Sequence, residues 1–197
     1  MYRSNPFADI HHISSSLLTP AQASLQEALL NLLAEKSLLD ISVKELCARA
    51  YVARSTYYSY YSSMDELLCE IEDTLIYYLV NKNTNIDFQQ ILRSDSTYIY
   101  AKTMDFIEGN RQAFECFLLK CPNQRFLEKW RRAVQYSIWE AFFAFRENEF
   151  EDFYLEVLSS MTISCFRYLL GNQDFQNRER IYRTIDALLK TAAGLIQ

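Results

Sequence analysis

The chain has 197 residues, half of them apolar and 23% charged, so it is long enough for one packed domain or for a small domain joined to a larger one. Its three glycines and three prolines are few for the turns of sheets and barrels, and the composition therefore favours an all-α fold. The net charge of −5 excludes bulk affinity for nucleic acid, so any nucleic-acid site must be a local surface.

The first eighteen residues contain charged and histidine side chains and no continuous apolar run, which is not the pattern of a signal peptide. We interpret residues 1–18 as a flexible arm. His11 and His12 have no metal-ligand partners nearby, so we expect neither a metal site nor a cofactor. The five cysteines form no Cys-x-x-Cys pair, as expected in a reducing compartment, and no membrane span is expected, so we predict a cytoplasmic protein.

Three capping boxes mark helix starts in the first third of the chain. Each places a hydroxyl residue three positions before Glu or Gln, and the boxes begin at Thr19, Ser42 and Ser63. They predict a first helix to about residue 36, a short second helix over 43–50 and a third helix over about 54–61. A short helix, a tight turn and another short helix form the layout of a helix-turn-helix, here residues 42–61.

The third predicted helix contains four tyrosines in five positions. Helical spacing places Tyr57 and Tyr61 on one side, where we expect them to pack inward. Tyr58 and Tyr60 then stand at the edges of an exposed polar surface. A phenol in that position can hydrogen-bond a DNA phosphate while its ring packs on the protein.

The stretch SVKELCARAYVARSTYYSYYSSMDELL, residues 42–68, resembles the helix-turn-helix of the TetR family of transcriptional regulators. The resemblance implies a DNA-binding domain over residues 19–66 and an effector-binding and dimerisation domain over residues 67–197. It also implies a ligand-responsive regulator, usually a repressor, that binds a palindromic operator in double-stranded DNA as a homodimer. The DNA contacts that it implies are Lys44, Arg54, Ser55, Thr56, Tyr58, Ser59 and Tyr60.

Three positions depart from the family pattern. Tyr51 stands where the family usually has a glycine in a left-handed turn, Ala53 replaces a serine cap, and Met64 replaces a phosphate-binding lysine. Residues 1–70 also contain five basic and eight acidic side chains. An alternative is therefore a TetR-like protein that has lost DNA binding and acts as a protein-binding adaptor or coactivator. The residues expected to face the groove favour the DNA-binding regulator.

The remaining two-thirds of the chain also predicts helices, which brings the total to about nine. The TetR resemblance implies that a long fourth helix joins the three-helix head to the body. The predicted body helices are 64–82, 96–108, 111–120, 123–147, 152–170 and 174–196. Residues 83–94 are predicted to be a loop or a short helix. The run EKWRRAVQ, residues 128–135, is predicted to be a solvated helix face.

The last two predicted helices have the features of a dimer interface. Helix 152–170 has two apolar stripes and therefore two partners, and the final helix carries a line of small residues that lets another helix approach closely. We expect four helices to meet across a two-fold axis. The predicted interface residues are Leu158, Met161, Leu169, Thr184, Leu188, Thr191 and Leu195.

The body is rich in aromatic residues, and the TetR resemblance implies a pocket there for a small apolar or aromatic effector. For any single ring, ordinary core packing is the favoured interpretation. The candidate pocket residues are Tyr100, Met104, Phe114, Phe117, Tyr136, Trp139, Phe143 and Phe166. The sequence has neither a Gly-rich phosphate loop nor a Gly-x-Ser-x-Gly elbow, so we do not expect an enzyme.

Overall fold

A computed structural model describes residues 18–83, 97–143, 149–172 and 177–196. Within these ranges all regular structure is helical, as predicted. None of the described helices has both the length and the apolar character needed to cross a membrane. The α-helices are α1 (Pro20–Leu33), α2 (Val43–Ala50), α3 (Arg54–Tyr60), α4 (Met64–Asn83), α5 (Thr97–Gly109), α6 (Arg111–Glu115), α7 (Gln124–Phe142), α8 (Glu151–Gly171) and α9 (Arg178–Ile196).

The helix starts follow the predicted caps, although only the first box is complete. Thr19 and Gln22 form both reciprocal bonds at the start of α1. Ser42 accepts from the Glu45 N–H at 3.2 Å, but the Glu45 carboxylate binds Lys36 instead of returning to its cap. At the third box, the reciprocal bond lies one residue earlier than predicted and belongs to a serine outside the cap position, as described below.

Several predicted bounds were wrong. The helix predicted over 123–147 ends at Phe142, and the helix predicted over 174–196 begins at Arg178. The first helix ends at Leu33, and a separate single turn of 3₁₀-helix (Leu38–Asp40) follows before α2. The helix predicted over 111–120 is α-helical only for its first half and continues as a π-helical turn (Cys116–Lys120). The segment predicted as a loop or short helix at 83–94 lies, apart from its first residue, outside the described residues.

Helices α1, α2 and α3 form the head. Helix α1 contacts both of the others and buries an apolar stripe that includes Leu25, Leu29 and Leu32, each fully buried. Leu46 of α2 is also fully buried in the same core. This arrangement leaves one side of α3 in the core and the other side exposed.

Helix α4 extends from the head into the body. It contacts α1 in the head and both α5 and α7 in the body. In the body, α7 packs along α8, and α9 packs on α5 and α8. Because α4 belongs to both parts, its contacts set how the head is held relative to the body.

Candidate nucleic-acid interface

The tyrosines of α3 divide between its two sides as the helical spacing predicted. Tyr57 is fully buried and Tyr61 is 2% exposed, whereas Tyr58 is 61% and Tyr60 is 38% exposed. The Tyr57 ring lies edge-on to the Tyr58 ring, with centroids 5.1 Å apart. The inner pair anchors α3 to the head, and this anchoring holds the outer pair at the surface.

The turn before α3 has the left-handed geometry that the TetR resemblance implied. Tyr51 has φ 55° and ψ 36°, and it is the one non-glycine residue with positive φ within the described ranges. A side chain in this left-handed conformation costs about 1–2 kcal/mol. Its ring is 97% exposed, so packing does not offset the strain. The Val52 N–H donates to the Cys47 carbonyl at 3.0 Å and closes the turn.

Helix α3 starts without a side-chain cap. Ala53 occupies the cap position in an extended conformation and cannot accept a hydrogen bond through its side chain. Replacing a serine-type cap with alanine costs about 1 kcal/mol. The burial of Tyr57 and Tyr61 must therefore stabilise a short helix that is weak at its own N-terminus.

The two buried tyrosines differ in how their hydroxyls are satisfied. The Tyr61 hydroxyl accepts from Gln22 Nε2 at 3.4 Å, while the buried Tyr57 hydroxyl has no hydrogen-bond partner among the described residues. Burial raises the pKa of Tyr57 to about 12 and also raises the pKa of Tyr61. At neutral pH both rings therefore remain uncharged anchors.

The exposed side of α3 is a polar surface, which we call the ridge. Ser59 Oγ donates to the Thr56 carbonyl at 2.7 Å, and Thr56 is the one half-buried residue of the ridge. Lys44 is exposed on the preceding helix α2. The ridge residues are Arg54, Ser55, Thr56, Tyr58, Ser59 and Tyr60.

The cations of the head fall into two groups. Lys36 binds the Glu45 carboxylate at 2.6 Å, and Arg49 binds Glu35 through both terminal nitrogens, at 3.0 and 3.2 Å. The hydrogen bonds from Arg49 lower the pKa of Glu35. By contrast, Lys44 and Arg54 form no ion pair with any residue in the described ranges. These two cations are also the ones that the TetR resemblance assigned to DNA.

The start of α4 is acidic and offers no cation. Met64 is half-buried and packs against the core. The Glu66 carboxylate accepts from the Ser62 N–H at 2.7 Å and from the Ser62 hydroxyl at 2.6 Å, and these bonds lower the pKa of Glu66. Asp65 binds Arg125 of α7 at 2.7 Å. The lysine that Met64 replaces therefore has no substitute among these residues.

Next to the acidic start of α4, five charged residues join this helix to α7. We call them the junction cluster: Asp65, Glu72 and Asp73 of α4 with Arg125 and Lys129 of α7. Glu72 is fully buried and accepts from Arg125 Nε at 2.8 Å and from Lys129 Nζ at 2.9 Å. Lys129 also binds Asp73 at 2.5 Å.

The junction cluster was not predicted from the sequence. Lys129 belongs to the run that was predicted to be a solvated helix face, yet its side chain is only 23% exposed. Burial lowers its pKa, but the hydrogen bonds to Asp73 and Glu72 outweigh this effect and leave the pKa raised. The hydrogen bonds from Arg125 to Glu72 raise the pKa of Arg125 as well. The signal in the sequence was spacing: Glu72 stands four residues from both Leu68 and Ile76, so it falls on the apolar side of α4, where a charge needs a partner.

The candidate effector-pocket residues lie in two separate apolar clusters. Tyr136, Trp139 and Phe143 belong to a smaller cluster with α8. The others belong to the main core, where Phe114 and Phe166 both lie about 6 Å, ring to ring, from Trp130. Those in the main core are Tyr100, Met104, Phe114, Phe117 and Phe166. An effector pocket within the body remains a prediction.

The two apolar stripes of α8 have different environments. The stripe with Leu158 and Leu169 is buried in the chain's own core, at 4% and 1% exposure, whereas Val157 and Tyr168 of the other stripe are 46% and 57% exposed. Met161 is half-buried between them. On α9, Thr184, Leu188 and Thr191 are exposed, and the side chain of Leu195 lies outside the described residues.

No family model matches the sequence, and no curated protein matches it. Solved structures do match the fold. A TetR transcriptional regulator from Streptococcus agalactiae 2603V is 21% identical, with 98% of this chain and 99% of that chain covered and a TM-score of 0.61. A tetR-family regulator from Streptomyces coelicolor is 14% identical, with 91% and 85% covered and a TM-score of 0.60.

A third structure, described as the dihydroxyacetone kinase operon activator DhaS, is 18% identical, with 89% of this chain and 97% of that chain covered and a TM-score of 0.56. Across these structures the likeness extends over nearly the whole chain, although the sequences have diverged widely. The chain therefore has the all-α fold of TetR-type transcriptional regulators.

Proposed function

We propose that this protein is a DNA-binding transcriptional regulator that inserts α3 into the major groove. The observation that carries the proposal is the ridge, where Arg54, Ser55, Tyr58 and Ser59 are exposed on one side of a helix whose other side is anchored. Hydroxyls and guanidinium groups on such a helix can contact phosphates and base edges. The TetR-type fold supports the same proposal.

The proposed regulator acts as a homodimer through α8 and α9. Val157, Tyr168 and Leu188 are each about half exposed, which leaves an apolar surface available on these two helices. Thr184 and Thr191 add exposed small side chains that allow close helix packing. Two heads on a two-fold axis can contact successive major grooves of a palindromic operator, which one head cannot do.

In the proposed mechanism, an effector bound by the body changes the position of the heads. The effector can do so only if it binds one arrangement more tightly than the other. Helix α4 is the connecting element, because it contacts α1 in the head and α5 and α7 in the body. Repression is the usual outcome in this family, and one structure of the same fold is described as an operon activator.

A second candidate function is an adaptor that has lost DNA binding. The observation in its favour is the charge of the head, where two of the cations are engaged by Glu35 and Glu45 and the start of α4 is acidic. DNA binding depends on cations that neutralise phosphates. Lys44 and Arg54 supply two per subunit, or four per dimer, so the proposed DNA binding should be strongest at low salt.

Selection of genomic fragments with the purified protein, at low and at moderate salt, separates the two candidates. We expect enrichment of one palindromic sequence by the wild-type protein and its loss in the Arg54→Ala variant. An Arg49→Ala variant is the matched control, because Arg49 is engaged by Glu35 and lies outside the ridge. Failure of the wild-type protein to enrich any sequence, even at low salt, would favour the adaptor.

A further inference from the structure

A cleft of about 510 Å³ lies where the head meets the body. Its walls come from α1 of the head, from α4, and from α5 and α6 of the body. None of the eight residues predicted for an effector pocket lines it. The cleft is thus distinct from the predicted effector pocket, and its size falls within the range of about 300–1,000 Å³ that is typical of small-molecule sites.

The inner surface of the cleft is apolar. Leu30 of α1, Ile71 and Leu75 of α4, and Phe106 and Ala113 of α5 and α6 line it, and each of these side chains is at least nine-tenths buried. Apolar walls contributed by several helices favour a ligand with a hydrophobic body.

The polar groups of the cleft give it a negative character. The amide of Gln26 already donates to Glu70 at 3.4 Å, and the amide of Asn110 donates to the Phe106 carbonyl at 2.9 Å. The exposed carboxylate of Asp105 lines the cleft and forms no ion pair with the residues that the structure describes. The Thr74 hydroxyl also lines the cleft and is buried without a hydrogen-bond partner among the described residues, but it is neutral. Among the described lining residues, the group that can select a ligand by charge is therefore the Asp105 carboxylate.

Two aromatic rings line the same cleft as this carboxylate. The rings of Tyr78 and Phe106 have centroids 5.9 Å apart, and Tyr78 is 44% exposed. Aromatic faces attract cations, and a carboxylate that lines the same cleft adds to the attraction. A cleft lined by apolar side chains, two rings and a carboxylate matches a ligand that has a hydrophobic body and one positively charged end.

We propose that this cleft binds a lipophilic organic cation, such as an aryl-alkyl amine. A ligand there would contact α1 and the body at once, close to the bond in which Gln112 of α6 donates to Asn31 of α1 at 2.7 Å. Occupancy would therefore favour one separation of head and body. The proposed amine binding is argued from the cleft alone, whereas any effect of the amine on DNA affinity rests on the proposed function.

Calorimetric titration with three probes of one shape tests the site. The probes are naphthylmethylamine, its neutral counterpart naphthylmethanol and the anion naphthylacetate. We expect the amine to bind most tightly and the anion most weakly. Absence of saturable amine binding, or equal binding of all three probes, would overturn the proposal.

Two variants locate the binding. A Cβ atom added at Gly109, which lines the cleft, would meet no other atom within 4 Å, so the first side-chain atom of Gly109→Leu has room there. We expect it to weaken amine binding at least tenfold at an unchanged melting temperature. Asp105→Asn should abolish the preference for amine over alcohol. The control Glu27→Gln removes an exposed carboxylate of α1 outside the cleft. It should change neither the amine affinity nor the preference for amine over alcohol.

Unchanged amine affinity in both Gly109→Leu and Asp105→Asn would place the amine elsewhere and reject the proposal. The DNA-binding proposal is judged separately, by fragment selection. Amine binding in the cleft without any selected DNA sequence would reject the regulator and retain the ligand site. DNA selection without amine binding would reject the ligand site and retain the regulator.

Discussion

The head and the junction between α4 and α7 use charge in opposite ways. In the head, ion pairs such as Arg49–Glu35 are largely exposed, and Lys44 and Arg54 are left without a carboxylate partner in the described ranges. At the junction, the carboxylate of Glu72 is fully buried and is satisfied by two cations. A charge in water is available to a binding partner, whereas a buried charge requires its own partners and fixes the geometry around it. The difference separates charges that are available to a binding partner from charges that hold two helices together.

The largest expected effect comes from breaking the junction. Glu72→Ala leaves Arg125 and Lys129 without their shared acceptor and should destabilise the protein by about 3 kcal/mol. This value is at the lower end of the range for a broken buried ion pair, because the two cations keep their bonds to Asp65 and Asp73. Urea unfolding measures the change. Glu35→Ala, which breaks an exposed pair in the head, is the control and should have no measurable effect. Equal destabilisation by the two variants would remove the distinction between the two regions.

The second effect concerns binding instead of stability. Replacing Lys44 and Arg54 with alanine should reduce operator affinity by about 1–3 kcal/mol for each cation that contacts a base, and should reduce the salt dependence by about one unit for each lost phosphate contact. The free energy of unfolding should stay within about 0.5 kcal/mol of the wild-type value, because both side chains are exposed. Fluorescence anisotropy over a salt series measures the affinity. If the double variant has the wild-type salt dependence, these cations do not contact DNA.

A smaller effect distinguishes the two sides of α3. Tyr58→Phe removes one exposed hydroxyl and should weaken operator binding by about 0.5–1.5 kcal/mol without a change in thermal stability. Tyr57→Phe is the matched variant. It removes a buried hydroxyl that lacks a partner among the described residues, so it should leave DNA affinity unchanged and keep or raise stability. A loss of DNA binding in Tyr57→Phe alone would reverse the assignment of the two sides.

The smallest effect concerns the turn before α3. Tyr51→Gly relieves about 1–2 kcal/mol of left-handed strain, but the added freedom of the unfolded chain offsets about 0.5–1 kcal/mol of it. The net stabilisation should be about 0.5–1 kcal/mol, observed as a higher melting temperature. Tyr51→Ala keeps a Cβ atom in the same conformation and should not produce this gain. A gain of the same size in Tyr51→Ala would mean that the exposed ring, and not the backbone, is the source of the cost.

Local features of the head could be predicted because their causes are local. A capping hydroxyl at Ser42 acts on an N–H three residues away, and the spacing of Tyr57 and Tyr58 decides which of them can face the core. The left-handed conformation at Tyr51 was expected from the resemblance to the TetR helix-turn-helix, and it also acts over a short span of the chain. These features depend on covalent distance and helix geometry, both of which are present in the sequence.

Features that depend on distant parts of the chain could not be predicted in the same way. Both apolar stripes of α8 could have faced the core, and the choice of the stripe with Leu158 and Leu169 depended on how α7 lies along α8. Lys129 had the sequence context of a solvated residue until α4 placed Glu72 beside it. The cleft at Asp105 and Gly109 exists only because the fold brings residues of α1, α4, α5 and α6 around one space.

The sequence by itself therefore determined an all-α chain with a helix-turn-helix and one exposed polar side of α3. The tertiary structure decided which charges are buried, which apolar stripe of α8 remains exposed and where a cleft opens between head and body. The physical reason is the distance along the chain over which each kind of interaction acts. Caps, turns and helical spacing act over a few residues, whereas burial depends on what another segment, more than fifty residues away in the case of Glu72 and Arg125, brings into contact.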